Sequence, residues 1–219
     1  MMTKTRHRRR YEQDAIAWAP LHTSSSNDDA GRNDRPTMTK VPDYGLRPAS
    51  PQDLPAIMRL ERAGFAPALR EREAVFLERM AAFPEGFLLL EERTSRQVLG
   101  YICSELWDFE ETPDPARFAL NHSAGRHHCP TGTELYLSSM TIEPRYRGTG
   151  LGAFLFRHCI ARQTERFALR SVILIVNETW TQARQLYLRS GFRDCGRIEG
   201  FFPAPQRTPH AAMMMRKPA

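Results

Sequence analysis

Apolar residues along the chain fall into short runs with two different periods, and the regular runs begin at Val41. Residues 44–47 read as a short first strand. Ser50-Pro51-Gln52-Asp53 then reads as a helix start, with a capping hydroxyl, a proline at the first helical position and an acid in the first turn. Leu54, Ile57, Met58 and Leu60 recur at helical spacing as far as Gly64, and a second helix is expected over residues 69–82, broken by Pro84-Glu85-Gly86. Residues 87–91 and 98–106 alternate as an antiparallel hairpin about a polar turn. After an insertion over 107–132 comes Glu134–Ile142, where apolar Leu135, Leu137 and Ile142 sit among β-favouring Tyr136 and Thr141. Pro144, which has no N–H to donate, ends that strand. A loop carrying Gly148, Gly150 and Gly152 leads into a helix with Ala153, Phe154, Phe156, His158, Ile160 and Ala161 on its apolar positions. Residues 171–176 are a continuous apolar strand buried on both faces. Thr179 and Gln182 form a capping-box pattern for a short helix with Ala183, Leu186 and Tyr187, which stops at Ser190-Gly191. Residues 192–198 and 211–216 finish as strands. The order β–α–α–β–β–β–α–β–α–β–β is that of an α/β protein built on a mixed sheet with helices on both sides.

Residues 1–40 behave differently. Arg8-Arg9-Arg10 and Ser24-Ser25-Ser26-Asn27-Asp28-Asp29 sit among few apolar residues, too few to offset the entropy of ordering, so 1–40 is expected to be a basic, polar, disordered tail and 41–219 the folded domain. Met2-Thr3-Lys4 recurs as Met38-Thr39-Lys40 where order should begin, which marks Met38 as an expected initiator. The net charge of +6 suits an acidic ligand and does not establish binding to nucleic acid, which is not an expected partner. No apolar run approaches the ~20 residues of a membrane span, and no membrane partner is expected. Cys103, Cys129, Cys159 and Cys195 lack paired spacing and fit reduced thiols in the cytoplasm.

Chemistry concentrates after the central strand. A strand, a loop with three glycines and a helix N-terminus together make an anion site, because unhindered N–H groups converge there and the helix dipole favours negative charge. The spacing is neither a Walker loop nor the dinucleotide fingerprint. It resembles the pyrophosphate loop of the GNAT superfamily of N-acetyltransferases, Gln/Arg-x-x-Gly-x-Gly/Ala, as Arg145-Tyr146-Arg147-Gly148-Thr149-Gly150. A second family motif, a helix ending Leu-Tyr-x-x-x-Gly-Phe, is matched by Leu186-Tyr187-Leu188-Arg189-Ser190-Gly191-Phe192 at the right separation. The resemblance covers 41–219 and implies a GNAT fold, a mixed and mostly antiparallel sheet of about seven strands. Residues 83–87 and 104–108 and the histidine-bearing insertion look like the arylalkylamine N-acetyltransferases. That family's two strand histidines fall here on Tyr136 and Ser138. The C-terminal half looks like the protein N-terminal (ribosomal-protein alanine) acetyltransferases. Their Arg-x-x-Tyr-Tyr-Pro element is matched in part by residues 197–203, and Trp180 stands where an asparagine is frequent, so Asn177 does not take that role.

The resemblance implies an acetyl-CoA-dependent transfer of an acetyl group to a primary amine by direct attack, with acetyl-CoA as cosubstrate and no metal. Pantetheine would pair with Met140, Thr141 and Ile142. The pyrophosphate would lie on Arg145, Arg147, Gly148, Thr149, Gly150, Leu151 and Gly152, and an N–H near Met140 would steady the oxyanion. Tyr187 is expected as general acid to the coenzyme A sulfur, and Glu134, at the start of the central strand, as general base through water. Glu105 is a further carboxylate with a structural or acceptor-binding part. His122, His127, His128 and Cys129 lack metal-ligand spacing, though a histidine of this insertion is an alternative base. Phe201 and Phe202 are candidates for the acceptor pocket. The acceptor is a small or aromatic amine or a protein N-terminus, and a homodimer is compatible with the reading. The alternative is a non-catalytic acyl-CoA-binding sensor on the same fold.

Overall fold

The computed structural model describes residues 43–203 and 208–219. The expected tail over 1–40, Met38 within it, and part of the expected turn at 201–209 lie outside the described residues. One seven-stranded sheet runs in the order β1-β2-β3-β4-β5-β7-β6. Its strands are β1 (Tyr44–Pro48), β2 (Phe87–Glu92), β3 (Val98–Trp107), β4 (Glu134–Ile142), β5 (Ser171–Asn177), β6 (Arg193–Phe202) and β7 (His210–Pro218). Every neighbouring pair is antiparallel except β4 with β5. The mixed, mostly antiparallel sheet of the sequence reading is therefore present.

Helices α1 (Leu54–Gly64) and α2 (Glu73–Ala82) cover one face, and α4 (Leu151–Arg166) and α5 (Thr181–Arg189) the other; α3 (Ala124–His127) is a single turn inside the insertion. The start of α1 follows its sequence signal, with the N–H and hydroxyl of Ser50 both donating to the Asp53 carboxylate. In α4, Leu151, Leu155, Cys159 and Gln163 are buried at four-residue spacing and seat the helix on β3 and β4. Burial of each leucine there contributes roughly 1.5–3 kcal/mol.

Two boundaries differ from the sequence reading for visible reasons. The second helix starts at Glu73 rather than residue 69, because residues 70–72 are tied back to α1: the Arg70 guanidinium donates to the carbonyls of Phe65 and Arg62, and the Glu71 N–H donates to the Glu61 carboxylate. The capping box at Thr179 does not form. The Thr179 N–H and hydroxyl both donate to the Asn177 side-chain oxygen, and the helix begins two residues later, at Thr181. Among the described residues no helix is long and apolar enough to cross a membrane.

Gly64, the last residue of α1, lies against the Thr141 side chain of β4, where an added Cβ would overlap the Thr141 hydroxyl. This close approach sets the height of α1 above the sheet. Gly64→Val is expected to lift the helix end and lower stability by about 1–3 kcal/mol in urea unfolding, with an unchanged denaturant slope.

Candidate active site

β4 and β5 pair only over Glu134–Leu137 and Ser171–Leu174, although both strands continue beyond that point. On its other side β4 stays with β3 as far as Ile142, with a bulge at Ser138: Cys103 pairs with Ser139, and the next residue, Ser104, pairs with Leu137. β5 stays with β7 along its whole length. The two central strands therefore part like a V, and among the described residues the edge of β4 from Ser138 to Ile142 that would face β5 has no strand beside it. Such an edge is ready to pair with an extended ligand.

A large groove lies along this edge on the α4 side. It is bordered by Met140, Thr141 and Ile142, by Arg147, Gly148, Gly150 and Gly152, and by Phe156, Arg157 and Ile160 of α4 and Leu186 and Ser190 of α5. Gly148 and Gly150 hold φ of +79° and +90°, a left-handed conformation that L side chains rarely adopt, and a Cβ on either would point into open space. Gly150 is the N-cap of α4, so the first N–H groups of a 16-residue helix face the groove without intrahelical partners. Arg147 reaches across the groove's end, donating to the carbonyls of Ile142 and Gly64. Arg145, Thr149 and Leu151 do not border it. The Arg145 guanidinium lies over the Tyr146 ring, the Thr149 hydroxyl donates to the Tyr146 carbonyl, and Leu151 is in the core.

Where β4 and β5 part, a smaller cavity passes between them and joins the two faces of the sheet. It encloses about 90 Å³, against about 1530 Å³ for the groove, so the groove suits a large cofactor and the cavity a few atoms at its reacting end. Phe156 and Tyr187 border it on the α4 side; Glu61, Phe65, Phe118, His122 and Tyr136 border it on the α1 side, with Trp180, Phe201 and Phe202 beside them. Tyr187 is half-buried, its ring 5.0 Å from Phe156 and 6.1 Å from Phe192, and burial pushes its hydroxyl up to about 12. It therefore holds its proton at neutral pH. Ser138, Ser139 and Met140 line the same cavity from β4.

Glu134, expected as the base, is not brought to this cavity. It lies six residues before Met140 on an extended strand, roughly 20 Å away. Its buried carboxylate is taken up by the Ser171 hydroxyl (2.7 Å) and by the Arg216 guanidinium (2.7 and 3.3 Å), which fastens the far end of β4 to β5 and β7. The insertion histidines are also engaged. His128 stacks on Phe83 and accepts from the Leu106 N–H, and His127 packs beside Trp107. His122 does reach the cavity wall. Its Nε2 faces the Glu105 carboxylate at 2.7 Å and its Nδ1 the Ala119 carbonyl at 3.2 Å, so both ring nitrogens are turned toward protein oxygens rather than toward a substrate. Burial alone would raise the Glu105 carboxyl, but His122, Arg79 and the Trp107 N–H outweigh it and hold it below the usual range. Glu105 is thus a structural anchor. Burial pushes the Cys159 thiol up to about 12, which leaves it inert in the core. Among the described residues no group of three or more His, Cys, Asp or Glu could hold a metal ion.

Sequence reasoning missed Glu61, Tyr101 and Ser139. They form a buried chain on the α1 side of the cavity, in which Tyr101 donates its hydroxyl proton to Glu61 and stands 3.2 Å from the Ser139 hydroxyl. A glutamate on the apolar face of α1 was the one signal available.

The family model described as Acetyltransferase (GNAT) family matches residues 54–192. No curated protein matches the chain. Among solved structures, the chain is similar to the ribosomal-protein-S18-alanine N-acetyltransferase from Escherichia coli (18% identity, TM-score 0.60, covering 80% of this chain and 94% of that one). It is similar to Naa20 from Chaetomium thermophilum in complex with a bisubstrate analogue (21%, 0.61, covering 80% and 86%). It is also similar to the GphF GNAT-like decarboxylase in complex with isobutyryl-CoA (21%, 0.65, covering 80% and 98%).

The ion pair at Glu134 yields a prediction of its own. Arg216→Met leaves a buried carboxylate uncompensated and is expected to cost about 3–5 kcal/mol in thermal or urea unfolding, with most of the loss recovered in the double variant Glu134→Gln/Arg216→Met.

Proposed function

Because the chain belongs to the GNAT acetyltransferase family, its match extending over more than half its length, we propose that it transfers an acetyl group from acetyl-CoA to a primary amine by direct attack. The observation that carries this reading is the cavity through the sheet, which joins a cofactor-sized groove on one face to an aromatic-walled pocket on the other. The pantetheine arm pairs with the open edge of β4 at Met140–Ile142, and the pyrophosphate rests on the N–H groups around Gly148, Gly150 and Gly152 beside Arg147. The thioester then sits where the strands part. An amine entering from the α1 side meets its carbonyl carbon, a β4 N–H near Met140 steadies the oxyanion, and Tyr187 protonates the departing thiolate. The acceptor is a small or aromatic amine or a protein N-terminus. The aromatic walls at Phe118, Tyr136, Phe201 and Phe202 support a compact apolar or aromatic body behind the amine.

The deciding experiment is thiol release from acetyl-CoA over a panel of aryl-amines, polyamines, amino acids and short peptides. Turnover on one class names the acceptor. Stoichiometric binding of acetyl-CoA with no turnover on any acceptor supports the non-catalytic acyl-CoA sensor instead, and no binding at all removes both readings.

Two variants test the parts. Tyr187→Phe is expected to lower kcat by roughly 10²-fold or more with little change in coenzyme A affinity. A hydroxyl at about 12 stays protonated below that value, so no loss of rate with rising pH should trace to Tyr187 in an assay run from pH 6 to 10. Gly150→Val, which forces a β-branched residue into left-handed backbone, is expected to weaken coenzyme A binding at least tenfold by calorimetry.

A further inference from the structure

Glu61 is a carboxylate on the apolar face of α1, only 1% exposed, and among the described residues it forms no ion pair, Arg79 acting on it only from a distance. Its two oxygens are both spoken for by donors: Oε1 accepts the Glu71 N–H at 2.8 Å, and Oε2 accepts the Tyr101 hydroxyl. Tyr101 is fully buried on β3, and its oxygen lies 3.2 Å from the Oγ of Ser139, which is half-buried and lines the cavity between β4 and β5. The titratable groups around this chain come from each neighbouring element. Glu71 lies in the segment before α2, Arg79 on α2, and Cys103 and Glu105 on β3. Arg79 is committed to Glu71 and faces Glu105 at 3.6 Å, and His122 is committed to Glu105, so neither side chain pairs with Glu61 directly.

The direction of these hydrogen bonds is fixed by counting protons. A phenol has one, and with Glu61 ionised that proton goes to the carboxylate. Toward Ser139 the Tyr101 oxygen can therefore only accept, so the single hydroxyl proton of Ser139 points at Tyr101. The lone pairs of Ser139 are left facing the cavity. A carboxylate whose two oxygens are both engaged thus sets the polarity of the hydroxyl beside the cavity.

We infer that Ser139, polarised by Tyr101 and Glu61, receives the ammonium form of the acceptor and passes its excess proton to the Glu61 carboxylate. This rests on the amine-acetylating reading above. An alkyl amine in water is an ammonium at neutral pH, much as lysine is, and cannot attack until one N–H bond breaks. That proton forms a new O–H bond at Ser139, Ser139 gives its original proton to Tyr101, and Tyr101 gives its own to Glu61 Oε2. Each hydroxyl ends with one proton, the carboxylate becomes a carboxylic acid, and the amine gains the lone pair that attacks the thioester. The reversed chain now presents a hydroxyl proton to the cavity, and the carboxyl returns its proton to water after the product leaves. Burial raises the Glu61 carboxyl above the usual carboxylate range, with Tyr101 and the Glu71 N–H opposing it only in part, which suits a group that must hold a proton briefly. Ser139 meets the amine; Tyr101 and Glu61 act through it, because both Glu61 oxygens, though at the cavity wall, are engaged by the Glu71 N–H and the Tyr101 hydroxyl.

The test is kcat/KM against pH for the wild type, Glu61→Gln, Tyr101→Phe and Ser139→Ala, using whichever amine of the panel turns over. The wild type should lose rate with falling pH through a single protonation above the ordinary glutamate value. Glu61→Gln can satisfy both neighbours, accepting the Glu71 N–H and donating to Tyr101, but it turns the chain around permanently. It should lower kcat about 10²-fold and abolish the acid limb while leaving coenzyme A affinity unchanged. Tyr101→Phe and Ser139→Ala should fall comparably, and Glu61→Gln/Ser139→Ala should be no worse than the poorer single variant. Wild-type rate or an intact acid limb in Glu61→Gln overturns the inference. If no amine turns over, the amine-acetylating reading fails separately, and infrared titration still decides the relay. A buried carboxyl band that is absent in Glu61→Gln and shifts its midpoint when phenylethylamine is added supports it. A band insensitive to the amine, or no such band, overturns it.

Discussion

The structure depends on β4 and β5 being parallel neighbours for only four residues of each. Parallel pairing at Glu134–Leu137 ties the two halves of the sheet together, and the ion pair of Glu134 with Arg216 locks that end shut. Beyond it each strand follows its own antiparallel partner, β4 with β3 past the Ser138 bulge and β5 with β7. Neither strand can bend back without breaking a ladder of hydrogen bonds. The opening is thus held by the outer strands rather than by a ligand, and it costs the sheet the unpaired edge of β4. An extended ligand that supplies the missing strand recovers that cost on binding, which is how an opening in a sheet becomes specific for a long, amide-bearing arm.

The two faces of the sheet treat the opening differently. On the α4 face the walls are helix ends and apolar side chains, and positive charge comes from Arg147 and Arg157 together with the backbone N–H groups at Gly150 and beyond. On the α1 face the wall is a buried charged lattice in which Glu71, Arg79, Glu105 and His122 are joined from the segment before α2, from α2, from β3 and from the insertion. Buried ion pairs add little net stability compared with packed apolar side chains, but losing one partner is costly, so the lattice holds its elements in one arrangement. That arrangement fixes the long insertion over the acceptor side, with Trp107, Phe118 and Tyr136 packed ring against ring.

The strands and their order were legible in the sequence because the sheet's core-facing residues alternate or run continuously, as in residues 171–176, and Pro144 and Gly191 mark the ends. The glycine loop before α4 was legible because Gly148 and Gly150 are needed there for backbone reasons that no tertiary contact can override. Partners separated widely along the chain were not. Nothing local says that Glu134 meets Arg216, 82 residues away, or that Glu61 meets Tyr101, 40 away. A carboxylate at the start of the central strand looks solvent-facing and available. Only the third dimension shows it neutralised, while a glutamate inside an apolar helical stripe looks like an accident of pattern until the phenol opposite it is seen. The start of α2 was misplaced for the same reason, since the segment 70–72 is held extended by α1.

In the proposed mechanism, burial affects the acid Tyr187 and the base Glu61 in the same direction, and that is useful for both. Burial disfavours charge, so it raises phenols and carboxyls alike. For Tyr187 this keeps the proton in place, as its proposed part as acid to the departing thiolate requires. For Glu61 it makes a weak base stronger, bringing a carboxylate nearer to the pH at which it can take a proton from an ammonium. A single low-dielectric cavity can thus prepare a donor on the α4 side and an acceptor on the α1 side without a charged residue touching the reacting atoms. The demand this places on the fold is that each group have enough neighbours to remain buried and enough hydrogen bonds to remain oriented. Packing against Phe156 and Phe192 supplies the burial for Tyr187, and the Glu71 N–H with Tyr101 supplies the orientation for Glu61.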